Sequence, residues 1–130
     1  MRRRREWLAL VSTVLVSRAA LAGHAGVPAV VTVRSDYVHQ LLALRERILF
    51  VDLREPSAFA AGHLPGAISL PLDELPRRYA ELPQAGRVIL YCDCPPDQAA
   101  SAYALLRDKG YGNHAILEDG YRGWLQSLTR

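Results

Sequence analysis

The stretch Arg87-Val88-Ile89-Leu90-Tyr91-Cys92-Asp93-Cys94-Pro95-Pro96-Asp97-Gln98 decides the fold. Its first six residues form a nearly continuous apolar run, with the length and composition of a strand buried on both faces, as parallel sheets require. Two prolines then interrupt the chain. From Gln98 to Lys109 apolar residues recur at helical spacing, and Gly110 is placed to close that helix in the left-handed region.

The same alternation extends outward. Ile48-Leu49-Phe50-Val51-Asp52-Leu53 reads as a second buried strand and Ala115-Ile116-Leu117 as a third. Ser35 is predicted to cap a helix over residues 36–45, with Val38, Leu41, Leu42 and Leu44 on its apolar face. Pro56 opens a short helix ending at Gly62, and Pro65-Gly66 marks a turn before an extended segment at 67–71. Further helices are predicted at 75–82 and 121–128. Strands alternating with helices predict an α/β fold, a parallel sheet covered on both faces.

The chain has 130 residues, of which 50% are hydrophobic and 22% charged, with a formal net charge of +3. This is the size of one domain, and the composition excludes a disordered chain, a collagen-like repeat and a polytopic membrane protein. Two cysteines are too few for a disulfide scaffold. Five of the 16 basic residues but one of the 13 acidic ones lie in the first 22 positions, so the remaining chain carries 11 basic and 12 acidic residues. That balance, with no basic stripe, argues against a nucleic-acid partner.

Residues 1–22 combine the basic run Arg2 to Arg5, an apolar stretch from Trp7 to Val16, and the small-residue end Ala19-Ala20-Leu21-Ala22 before Gly23. The pattern predicts a secretory signal peptide, cleaved before Gly23. An uncleaved membrane anchor is the alternative, although Arg18 interrupts the apolar stretch. Residues 23–33 are expected to form a linker and a first short strand, and residues 34–130 the working domain. Export, to the periplasm, places that domain in an oxidising compartment.

Ligands of open α/β sheets bind beyond the carboxyl ends of the strands. Two such ends carry reactive or charged groups, Asp52-Leu53-Arg54-Glu55 and Tyr91-Cys92-Asp93-Cys94. Cys92 is either a nucleophile, its thiolate favoured by loop N–H groups and a helix N-terminus, or a small apolar residue finishing a strand. Cys94 is an incidental loop residue, a partner that resolves or cycles with Cys92, or half of a soft-metal pair. Nothing nearby completes a metal-binding set, and neither metal nor cofactor is expected. Asp97 is predicted as the N-cap of the following helix. Asp52 and Arg54 are expected to pair or to brace loop backbones, with Arg54 alternatively lending charge to a pocket mouth. His63 is expected to hydrogen-bond within its turn.

Taken together, Asp52-Leu53-Arg54-Glu55, Phe59, Gly62-His63-Leu64-Pro65-Gly66-Ala67, Leu90-Tyr91-Cys92, Gly110-Tyr111 and the closing segment 117–124 resemble a single-domain rhodanese over about residues 31–128. The resemblance implies a three-layer α/β fold with a central, mainly parallel sheet flanked by helices. It also places Cys92 where the family carries sulfane sulfur as a persulfide, taken from a donor such as thiosulfate and passed to a thiol or other nucleophilic acceptor. The expected partners are a small sulfur donor and a thiol acceptor, which a protein can provide, with the domain acting as a monomer.

The active-site loop departs from the family pattern. Thiosulfate-using members have Cys, four variable residues and Arg; here the corresponding position is Asp97, or Gln98 in a loop one residue longer. Pro95 and Pro96 contribute no N–H, and Asp93 and Asp97 add negative charge beside the thiol. These departures predict weak thiosulfate activity. The alternative is a rhodanese fold without transferase activity, serving as a binding or thiol-redox module through Cys92 and Cys94.

Overall fold

A computed structural model describes residues 29–129. The predicted signal peptide, and the linker up to residue 28, lie outside the described residues. Within them the chain runs β1 (Thr32–Val33), α1 (Ser35–Ala43), β2 (Ile48–Asp52), α2 (Pro56–Ala61), β3 (Ile68–Ser69), α3 (Leu75–Arg78), a 3-10 turn (Tyr79–Glu81), β4 (Arg87–Tyr91), α4 (Pro96–Asp108), β5 (His114–Leu117) and α5 (Gly120–Ser127). The five strands pair in the order β1-β5-β4-β2-β3, every pair parallel. Among the described residues no helix is long and apolar enough to cross a membrane.

Parallel strands need crossovers, and the crossovers cover both faces of the sheet. The alternation of side chains along β2 and β4 assigns each residue to a layer. Val51, Leu53, Val88, Leu90 and Cys92 join Ala102, Tyr103 and Leu106 of α4 and Leu75 of α3 in one core. Phe50, Ile89 and Tyr91 join Val38 of α1, Leu64 and Trp124 of α5 in the other. Leu106, Leu90 and Val51 are fully buried, each stabilising the fold by roughly 1.5–3 kcal/mol relative to exposure. The two central strands are in register from Ile48↔Arg87 to Asp52↔Tyr91, so they end together. Their common end places Asp52-Leu53-Arg54 beside Tyr91-Cys92-Asp93.

Three boundaries differ from the sequence expectation. Ser35 lies inside α1, fully buried, and the cap comes from outside: its N–H donates to Asp119 Oδ1 (3.1 Å) at the start of α5. The expected helix at 75–82 is one α-turn followed by the 3-10 turn, where the single Tyr111 O–H lies 2.9 Å from both the Tyr79 and Leu82 carbonyls and is shared between them. Asp97 is not an N-cap. Pro95 is the extended cap residue (φ −58°, ψ 149°) and α4 begins at Pro96, whose ring pre-sets a helical φ, so Asp97 and Gln98 belong to the first turn of the helix. Gly110 does adopt the left-handed conformation (φ 91°), with Tyr111 N–H closing on Leu106 O at 2.9 Å.

His114, in β5, has its Nε2 3.1 Å from Tyr103 O and its Nδ1 buried with no partner among the described residues. Burial lowers its pKa below 6.5; the Tyr103 carbonyl opposes this and the charge of Arg107 adds to it. The unfolded chain therefore binds this proton at a higher pH than the folded one does. Stability is full above about pH 6.5 and declines as the pH falls below it. Urea unfolding at about pH 7.5 and about pH 5.5 should show a lower midpoint at the acidic value, and His114→Leu should reduce that difference. Equal shifts in the two proteins would rule out His114 as the source.

Candidate active site

Cys92 directly follows β4, and its side chain continues the α4 face of the sheet, 8% exposed. Cys94 is half-buried and packs against the edge of the same core. The two are joined in a disulfide, with Cα atoms 5.3 Å apart, and the Cys94 N–H points at Cys92 Sγ (3.2 Å). Among the described residues no group of three or more His, Cys, Asp or Glu side chains is arranged to hold a metal ion.

The loop is fixed from the far side of the sheet by α5. Tyr121 N–H donates to Cys92 O (3.2 Å), and Arg122 N–H donates to Asp93 Oδ1 (3.2 Å). Asp93 thus sits at the positive N-terminus of α5, which balances part of its charge. The approach is possible only because residue 120 is glycine: its φ is +64°, and a Cβ there would stand 2.6 Å from Cys92 O. On the other flank Gln98 and Ala99 N–H groups turn to Pro95 O (3.0 and 3.4 Å). With Pro95 and Pro96 lacking N–H groups, the loop offers few backbone donors to an anion.

Asp52 and Arg54 do pair, and the pair is buried. The Asp52 carboxylate, 0% exposed, accepts from Arg54 N–H (2.9 Å), Nε (3.0 Å) and Nη2 (2.7 Å), and from Tyr91 Oη (2.7 Å). Arg54 Nη2 also donates to Gly62 O (2.7 Å), and its guanidinium lies 3.8 Å from the Tyr121 ring centre. Burial works against the Arg54 charge, but the hydrogen bond and charge of Asp52 outweigh it and raise its pKa. Burial likewise pushes the Tyr91 phenol up; Leu64 N–H and Arg54 pull it down, and its bond to Asp52 adds to the rise. Tyr91 Oη in turn accepts from Leu64 N–H (3.1 Å). His63 Nδ1 lies 2.9 Å from Phe59 O, within the same turn, and its ring stacks on Phe59.

Two depressions flank the disulfide. One, of about 380 Å³, lies between Val30, Thr32, Ile116 and Leu117 on the sheet side and Pro96, Ala99 and Ala100 of α4, with Glu118 at its border. The other, of about 400 Å³, is lined by Leu53, Arg54, Glu55, Ala58, Leu72, Asp93 and Gln98. Arg54 is the single cation among the lining residues of either, and its Nε and Nη2 donors are committed to Asp52 and Gly62.

The rhodanese-like domain family model matches residues 35–127. The chain belongs to the rhodanese-like family. It is 36% identical over 90 residues to a sulfurtransferase of Allochromatium vinosum, covering 69% of this chain and 83% of that one. It is 35% identical over 88 residues to the thiosulfate sulfurtransferase GlpE of Pseudomonas entomophila, covering 65% and 78%. Among solved structures the human single-domain sulfurtransferase TSTD1 superposes with a TM-score of 0.62 at 25% identity, covering 75% of this chain and 97% of that one. Some relatives are longer: the chain spans 49% of a matching protein from Synechocystis.

The rhodanese fold brings Cys92, Asp93 and Cys94 together in one short loop, with Arg54 lining the depression beside them and holding Asp52, which is buried at the end of β2. Pro96, Asp97 and Gln98 leave the loop for the helix. Sequence reasoning missed Tyr91 and Gly120 as supports of the site, and Val30, Thr32 and Glu118 as lining. The Asp119-Gly120 dipeptide is a turn signal that points to a special backbone position; the lining residues carry no local signal, since they meet only through the strand order.

Arg54→Met would strand the buried Asp52 carboxylate and should lower unfolding free energy by about 3–5 kcal/mol. Urea denaturation measures it, and a loss below about 1 kcal/mol would show that the pair is not needed for the fold.

Proposed function

We propose that this rhodanese-like domain carries sulfane sulfur as a persulfide on Cys92 and that it acts on thiosulfate weakly. The observation that carries the reading is the position of Cys92, at the carboxyl end of a central parallel strand, in a loop held by α5 and followed by α4. Its relatives with sulfurtransferase names support the reaction class. Once the Cys92–Cys94 disulfide is reduced, the Cys92 thiolate attacks the outer sulfur of thiosulfate. The new bond joins that sulfur to Cys92 Sγ, the sulfur–sulfur bond of the donor breaks, and sulfite leaves with the electron pair.

Weak turnover follows from charge. Asp93 and Asp97 are exposed on either side of the loop, Glu55 and Glu118 border the two depressions, and Arg54 is already paired. A dianionic donor approaches against this field. The proposal also places the chain outside the cytoplasm, as an exported, periplasmic protein acting as a monomer on a small donor and a thiol acceptor. The signal-like sequence of residues 1–22 supports export, and a disulfide persists in an oxidising compartment.

The test is intact-mass measurement on the reduced full chain carrying Cys94→Ser, treated with thiosulfate or inorganic polysulfide. One added sulfur on Cys92, removed by cyanide and absent in Cys92→Ser, is the expected result. No adduct with either donor would overturn the reading. Asp97→Arg, which reverses an exposed charge in the first turn of α4, should raise the rate of thiosulfate transfer roughly threefold or more. An unchanged or slower rate would reject the electrostatic explanation.

A further inference from the structure

We infer that Cys94 is the acceptor of the Cys92 persulfide, so that the domain reduces sulfane sulfur to hydrosulfide and comes to rest as the Cys92–Cys94 disulfide. This rests on the persulfide reading above and adds the product and the co-substrate. The Cys94 thiolate attacks Cys92 Sγ. An S–S bond forms between the two cysteines, the bond from Cys92 Sγ to the outer sulfur breaks, and its electron pair leaves with that sulfur, which takes up the proton that the Cys94 thiol gave up and departs as hydrosulfide. The outer sulfur gains two electrons and the two cysteines lose them. A dithiol reductant, small or protein-borne, then exchanges with the disulfide, becoming a disulfide itself and returning both thiols.

Three observations carry this beyond simple transfer. First, the disulfide is the product that such an attack must leave, and the loop already holds the two sulfurs together. Tyr121 N–H on Cys92 O, Arg122 N–H on Asp93 and the fixed ring of Pro95 position the loop backbone independently of the sulfur–sulfur bond. Attack by Cys94 is therefore intramolecular and oriented, which an external acceptor cannot match.

Second, the acidic border that repels anions at the mouth does not hinder a thiol already inside. Sulfite or another anionic acceptor must pass Asp93, Asp97, Glu55 or Glu118, while Cys94 is half-buried and packed against the α4-side core. Third, the leaving group has an exit. Both depressions border Cys92 and Cys94, and each holds far more than one hydrosulfide.

The experiment is a single turnover. The full chain is reduced, freed of reductant without air, and mixed with thiosulfate radiolabelled in its outer sulfur. The wild type should release the label as hydrosulfide, about one per chain, and end with no free thiol on Cys92 or Cys94. Cys94→Ser should keep the label on Cys92 and release at least about tenfold less. If both proteins retain the label, the role of Cys94 is overturned while the persulfide stands; equal release from both overturns it as well. If neither takes up label, with polysulfide giving the same result in Cys94→Ser, the persulfide reading falls and this inference with it.

Discussion

The carboxylate of Asp52 is the point on which the carboxyl end of this sheet depends. It is wholly buried at the last position of β2, and a buried charge is tolerated only when its lone pairs are filled. Arg54 and Tyr91 fill them, and each ties in another part of the chain. Through Arg54 the pair reaches the Gly62 carbonyl at the end of α2 and the Tyr121 ring on α5. Through Tyr91 it reaches the Leu64 N–H in the turn beyond α2. A hydrophobic pair would pack at similar cost, but it would not tie the chain after α2 to β2 and β4 with hydrogen bonds. Gly62 is accordingly bare of a side chain, since a Cβ there would come within 2.7 Å of Tyr121 Oη.

Tyr91 and the Cys92 sulfur point to opposite faces of the sheet, and the two sides meet at the strand end, where Arg54 lines the same depression as Cys92 and Cys94. Adjacent residues of a strand point to opposite faces, so Tyr91 anchors the support while Cys92 presents its sulfur to α4. The two halves are also joined through the backbone. Tyr121, whose ring covers Arg54, also donates its N–H to Cys92 O. One residue thus fixes the support from one side and the cysteine from the other, and Gly120 beside it permits the approach.

Much of this was readable before any coordinates. The apolar runs ending in Asp52 and Cys92 fixed two central strands and their parallel relation, because a strand buried on both faces needs no alternation and so shows as a continuous run. Asp52 and Arg54 were visible as partners because both lie at one strand end. What was hidden depends on contacts distant in sequence. Asp119 caps α1 across 84 residues, so Ser35 looked like a cap and is instead the first buried residue of the helix. Asp97 looked like a cap because acidic residues favour helix starts; paired prolines moved the start two residues earlier. Asp93 looked like an unbalanced charge beside the thiol, and only the placement of α5 shows what balances it.

That placement changes the electrostatic account of the loop. Two helices point their N-termini toward the Cys92 region, α4 and α5, and in many folds such ends stabilise a thiolate. Here each already has a carboxylate of its own: Asp97 in the first turn of α4 and Asp93 at the start of α5. Asp93 takes up part of the positive end of α5, and Asp97 sets a negative charge in the first turn of α4. A cysteine bordered by carboxylates gains little by waiting for an external anion. It gains most from a partner held at short range, where orientation replaces charge as the source of rate. The second cysteine, two residues along the same loop, satisfies that condition, because it need not cross the acidic border that an external anion must pass.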